Sequence, residues 1–252
     1  MSTIAVAVGM EGRREPSRLR MGRTTMDTGL IRTARGTWEA GVAGSRDGRV
    51  RLGASERGAR AALVRAVVEV VAACGYEAAG VDAICGRAGV APEVFAELFA
   101  GKQECFIAAA CVFVDALIAE VGAAVRHAED WESGTRAALS AALLYLAEHP
   151  AEARAFFAEG LSAGREALAV RDLAMHAFCD FIDMLQARAR DALPSGLVSE
   201  AAVGGLYGIL ATRIRNGETG SLPDLASSLA YFLLAPVVGR PRARRELSAA
   251  TR

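Results

Sequence analysis

Positive side chains and apolar surfaces, rather than catalytic groups, are the chemistry this sequence offers. Arg57, Arg60, Arg87 and Lys102, the last being the only lysine of the chain, are residues that can bind phosphate oxygens, as are backbone amides at helix starts. Gly101-Lys102 lacks the upstream glycine and following Ser or Thr of a phosphate loop, and no G-x-G-x-x-G follows a strand. Cys74, Cys85, Cys105, Cys111 and Cys179 contain no C-x-x-C pair, and His127, His149 and His176 have no partner at metal-ligand spacing. Neither catalysis, nor a metal, nor a cofactor is expected.

Composition limits the remaining choices. The 252 residues are 52% hydrophobic, enough for a sizeable core, and the formal net charge is zero. Any affinity for DNA must therefore come from a local patch rather than bulk charge. The cysteines read as small buried hydrophobes in a reducing cytosol. The first ten residues lack a basic n-region, and no uncharged run approaches the ~18 residues of a membrane span. A cytoplasmic protein with no membrane partner is expected.

These side chains need elements to position them, and the periodicity predicts helices throughout. Residues 1–54 are rich in Gly, Arg, Ser and Thr without apolar period, and are expected to be a disordered arm. From Ser55, the apolar set Leu63, Val67, Val70, Val71 and Cys74 marks an amphipathic helix ended by Gly75. Val81, Ile84, Cys85 and Ala88, a break at Gly89, then Val94, Phe95, Leu98 and Phe99 predict two short helices joined by a tight turn. Such a pair is a helix-turn-helix, whose second helix enters the major groove. Residues 55–101 are thus expected to be a three-helix DNA-binding head, in which Asp82 reads as a helix cap. Residues 102–240 should form a helical bundle, with helices near 102–128, 134–148, 150–162, 165–192, 199–215 and 223–235, and 241–252 a basic tail. The fold class is all-α.

Gly75-Tyr76, Val81-Asp82-Ala83-Ile84, Ala88-Gly89-Val90, and Phe99 with Lys102 and Glu104 resemble the head of TetR-family transcriptional regulators. The run from Phe95 to Phe106, with Glu148-His149-Pro150, Val203-Gly204-Gly205-Leu206-Tyr207 and Leu233-Leu234-Ala235-Pro236, is similar to an actinobacterial-type subset of that family. The resemblance implies a regulator, expected to be a repressor, that binds a palindromic double-stranded operator under the control of a small apolar effector. Contacts to DNA would come from Pro92, Glu93, Val94, Ala96 and Glu97 of the second helix, with Lys102 at a family phosphate position and Arg57, Arg60 and Arg87 beside it. Where the family places hydroxyls this chain has Ala79-Gly80, Ala91 and Ala96, and Glu93 and Glu97 add negative charge. The other reading is therefore a degenerate member that has lost operator binding and serves as a ligand-binding or heterodimerising partner.

For the effector pocket, the aromatic and aliphatic residues Phe113, Leu117, Leu143, Phe156, Phe157, Met175, Phe178, Met184 and Tyr207 are the candidates. The resemblance implies homodimerisation through the last two long helices. Ala201, Gly204, Gly205 and Gly208 give one of them the small side chains that allow close backbone approach, and Leu234 is the candidate on the other.

Overall fold

A computed structural model describes residues 53–126, 128–186, 196–241 and 243–244. The arginine-rich arm, His127 and most of the basic tail lie outside these residues. All regular elements among the described residues are helical.

The head consists of α1 (Ala54–Cys74), α2 (Val81–Ala88) and α3 (Pro92–Leu98). Leu63, Val67 and Val71, on one face of α1, are fully buried and meet Ile84 and Cys85 of α2 and Phe95 of α3. Gly89 ends α2 with a left-handed φ of 64°, the conformation a Cβ disfavours. The Val90 amide donates to the Cys85 carbonyl at 3.1 Å and the Gly89 amide to Gly86 at 3.4 Å, a Schellman closure that satisfies carbonyls at the helix end. Pro92 then opens α3 at its first position, where no intrahelical amide is lost.

The long helix α4 (Lys102–Val125) joins head to body. Its first turns contribute Cys105, Phe106 and Ala109 to the head core, which also takes Ala155, Ala163 and Ala167 from the body. Packing thus runs across the expected junction at 101/102. The later part of α4, from Cys111 to Val125, packs into the body core with α5 (Trp131–Glu148), α7 (Arg165–Gln186), α8 (Gly196–Arg215) and α9 (Ala226–Val238). By length and composition α4 and Leu197–Arg215 of α8 could each cross a membrane, although the sequence pattern predicts no span. In α4 the apolar residues serve the core, since 61% of its most apolar stretch is buried, whereas the figure for α8 is 28%.

Several helix bounds differ from expectation: α4 ends at Val125 rather than 128, α8 starts at Gly196 rather than 199, and α9 spans Ala226–Val238 rather than 223–235. Helix α5 begins at Trp131 rather than 134, because Asp130 accepts from the Ser133 amide at 2.8 Å while its own amide donates to the Ser133 hydroxyl at 3.3 Å, a reciprocal cap. Gly134 is buried inside the helix instead of breaking it. The single helix expected over 150–162 is a turn of α-helix, α6 (Pro150–Ala153), followed by a π-helical turn Arg154–Ala158 and a 3-10 turn Gly160–Ala163. A further 3-10 segment, Thr219–Leu225, precedes α9.

Candidate DNA-binding head and effector cavity

The outer surface of α3 is formed by Pro92, Glu93, Ala96 and Glu97, all exposed, with Val94 half-buried and Phe95 turned into the core. Neither α2 nor α3 has a side-chain cap: Gly80 and Ala91 stand at those positions. Asp82, expected to be a cap, lies instead in the first turn of α2, where its charge complements the helix amino end.

The basic residues around this surface are engaged to different degrees. Arg87 forms an ion pair with Glu69 of α1. The Arg60 guanidinium carbon stands 5.0 Å from the Phe99 ring centroid, and Arg57 is exposed. Lys102 departs most from expectation. Its ammonium donates to the carbonyls of Tyr76 (2.8 Å), Glu77 (3.2 Å) and Ala79 (3.1 Å) and lies 4.5 Å from the Tyr76 ring centroid. All of its donors are thus taken by the turn between α1 and α2, so in this structure Lys102 is a fastener of that turn rather than a free phosphate ligand.

The body holds a partly open cavity of about 200 Å³ between α4, α5, α7 and α8. Phe113, Leu117, Leu143, Phe156, Phe157, Met175, Phe178 and Tyr207 all line it, and the Met184 side chain lies outside what is described. Thr135 and Arg171 also reach its wall, and neither is apparent from an apolar pattern. Burial pushes the Tyr207 phenol above its ordinary pKa, with the Arg171 cation opposing.

Phe156, within the π-helical turn, connects the cavity to the head. Its ring centroid is 4.9 Å from that of Phe113 and 5.2 Å from that of Phe106, which in turn is 5.2 Å from Tyr76. Arg154, at the start of the same turn, donates to the Ala72 carbonyl at 2.9 Å, and Glu159 just beyond it accepts from the Tyr76 amide at 3.4 Å. π-Turns of this kind recur at functional sites.

On α8, Leu197, Ala201, Gly208 and Ile209 are exposed along one stripe, Gly204 and Gly205 are half-buried, and Phe232 of α9 is exposed beside Gly205. Leu234 is placed differently from expectation: it is fully buried in the core of its own chain and has no surface to offer a second copy.

Among the described residues the remaining reactive side chains lie apart from one another. Gly160-Leu161-Ser162-Ala163-Gly164 spells G-x-S-x-G, but it lies in a 3-10 turn between helices instead of the strand-to-helix elbow that exposes a nucleophile. His149 Nδ1 lies 2.8 Å from the Tyr145 carbonyl, and His176 is exposed. Burial raises the Cys105 thiol to about 12, although Arg60 opposes, and the Cys179 thiol to about 11. Cys74 alone of the five is exposed, so it is not the buried hydrophobe expected of it. Among the described residues no group of His, Cys, Asp or Glu could hold a metal ion.

No family model matches the chain. The HTH-type transcriptional activator FasR of Mycolicibacterium smegmatis is 38% identical over 112 residues, which are 44% of this chain and 50% of that protein, so the match spans half the length of the relative. The fatty acid degradation regulator FadR of Bacillus halodurans superposes with a TM-score of 0.63 at 19% identity, over 73% of this chain and 97% of that one. FadR of Bacillus subtilis, solved in complex with stearoyl-CoA, gives 0.63 at 19% over 71% and 98%. A tetR-family regulatory protein from Rhodococcus RHA1 gives 0.57 at 22% over 71% and 96%. These are regulators rather than enzymes, and at such identities the shared property is the fold. With its helix-turn-helix head, its bundle and near-complete coverage of each of those structures, the chain has the fold of the TetR family.

Proposed function

We propose that this protein is a cytoplasmic DNA-binding transcriptional regulator whose operator affinity is set by a small apolar effector held in the body. The observation that carries the reading is the apolar cavity joined to a helix-turn-helix head through α4 and the π-turn. An effector can change DNA binding only by differing in affinity for two head arrangements; Phe156 lines the cavity and packs on the head core, and Arg154 of the same turn bonds the head at the Ala72 carbonyl. The structure with bound stearoyl-CoA supports an acyl-chain ligand. Homodimerisation through α8 and α9 is part of the proposal, supported by the exposed Leu197, Ile209 and Phe232 stripe and by the low burial of an apolar α8. A twofold dimer would match a palindromic site with half-sites ~34 Å apart or a multiple of it. The test is a mobility shift with the DNA upstream of the chain's own gene, with and without competitor duplex and acyl ligand. Retardation that survives competitor and responds to ligand is expected; retardation by any duplex alike, or none, would discard the operator. A reporter assay then reads repression against activation.

The second reading, a family fold that has lost its operator, is favoured by the uncapped α2 and α3, the exposed Glu93 and Glu97 and the engaged Lys102. Ala91→Ser with Ala96→Tyr separates the two. Each hydroxyl adds about 0.5–1.5 kcal/mol as a hydrogen bond, and the serine also caps α3. If the head still grips DNA, titration at fixed salt should show affinity rising about tenfold per head on operator and scrambled duplex alike, because phosphate contacts read no bases. An unchanged affinity for the folded variant would support the degenerate reading.

A further inference from the structure

The cavity has one polar end, and the assignment of a ligand to it rests on the effector-binding role proposed for the body. Side-chain hydrogen-bonding groups on its wall belong to Thr135, Arg171 and Tyr207. Thr135 is satisfied, its hydroxyl donating to the Trp131 carbonyl at 2.8 Å. The Tyr207 hydroxyl is different: it is buried, the Arg171 guanidinium approaches it as a donor without well-formed hydrogen-bond geometry, and among the described residues nothing accepts its proton. A buried hydroxyl whose proton finds no acceptor forfeits a bond to water, so its persistence in a largely apolar wall needs a reason.

Arg171 supplies the second half of the site. Its guanidinium carbon is 5.8 Å from the Tyr207 ring centroid, while Phe157 stacks on that ring at 5.3 Å and fixes its position. The cation is near enough to oppose the rise in the phenol pKa, yet Arg171 Nε and Nη2 both donate to one Asp172 carboxylate oxygen, at 3.0 and 2.6 Å. The Arg171 and Asp172 side chains are 33% and 51% exposed, so this ion pair is partly solvated. The cation already has a carboxylate partner. A free carboxylate arriving here would meet Asp172 as well as Arg171, whereas an uncharged acceptor would satisfy Tyr207 without disturbing the pair. With its pKa raised by burial, the phenol remains a protonated donor at neutral pH.

We infer that Tyr207, beside the carboxylate-paired Arg171, anchors the uncharged carbonyl oxygen of an acyl ester, thioester or amide, whose hydrocarbon chain occupies the rest of the cavity. The volume has room for on the order of fifteen water-sized groups, which suits a chain of moderate length. The ligand class is therefore an acyl derivative in preference to the free acid.

The experiment titrates the full chain with methyl dodecanoate, with dodecanoate and with the apolar dye N-phenyl-1-naphthylamine, using wild type, Tyr207→Phe and Asp172→Asn. Wild type should bind the ester more tightly than the acid. Tyr207→Phe should weaken ester binding roughly two- to tenfold while dye binding, which also reports an intact cavity, stays unchanged. Asp172→Asn, at an exposed position, should shift preference toward dodecanoate by leaving Arg171 without its carboxylate partner, and this arm decides even if the Tyr207 variant folds poorly. Ester affinity unchanged in a dye-binding Tyr207→Phe, a wild type that prefers the acid, or an Asp172→Asn with no shift would overturn the anchor and leave the apolar cavity standing. Failure of all three probes to bind wild type would overturn the effector-binding role itself.

Discussion

Phe106→Ala should lower the stability of the chain by about 3–5 kcal/mol, the range for truncating a fully buried aromatic residue. Phe106 is 1% exposed, meets Tyr76 edge-on at 5.2 Å between ring centroids and touches Phe156 at the same distance on its other side. These neighbours belong to separate elements, the loop after α1 and the π-turn, and each is held elsewhere: Tyr76 by Lys102, and the turn by Arg154 on the Ala72 carbonyl. Such walls cannot collapse freely into the space left behind, so the cost should fall in the upper part of the range. Phe106→Leu keeps most of the volume and should cost less than half as much. Chemical denaturation followed by Trp fluorescence and by helical circular dichroism gives both values. Because Phe106 lies where the head core meets the cavity wall, the two signals should shift together. A shift confined to one signal would show that head and body unfold separately and that this ring does not join them.

Much of the fold was legible because it depends on local pattern. The apolar spacing of Leu63, Val67 and Val71 determines which face of α1 is buried, and Gly89 can end α2 through a left-handed closure using only its own neighbours. The cavity wall was legible for a related reason: large apolar residues on helices of a bundle face one another, and the candidates Phe113 to Tyr207 with described side chains all reach the same space. The start of the helix expected near 134 came three residues late because Ser and Gly are residue types that break helices as well as begin them; the Asp130 to Ser133 exchange distinguishes these roles only in three dimensions. The π-turn has no sequence period of its own. Leu234 could not be assigned to core or surface from an α9 segment apolar on most sides, and the structure places it inside while Phe232 faces out.

Lys102→Met is the second substitution expected to have a large effect, and it decides what the lysine is for. Its ammonium donates to three carbonyls of the segment 76–79, groups 23 to 26 positions away in sequence, which is why no local pattern announced them. Methionine keeps the stem and removes every donor. Hydrogen bonds from a charged group are worth about 1.5–3 kcal/mol each when broken on one side, but these carbonyls lie near the surface, where water replaces part of the loss. A net destabilisation of about 2–3 kcal/mol is therefore expected, concentrated on the turn that orients α2 and α3. If the lysine served phosphate instead, the variant would unfold like wild type, and the dependence of DNA affinity on salt would fall by roughly one unit of log-log slope. The fastener role predicts the opposite pair of results: a lower unfolding midpoint, and an unchanged salt slope under conditions where the variant remains folded. Lys102→Arg should recover only part of the stability, because a planar guanidinium cannot direct its donors at three convergent carbonyls as a tetrahedral ammonium does. Full recovery by arginine would mean that charge near the Tyr76 ring, rather than the carbonyl bonds, holds the head to α4.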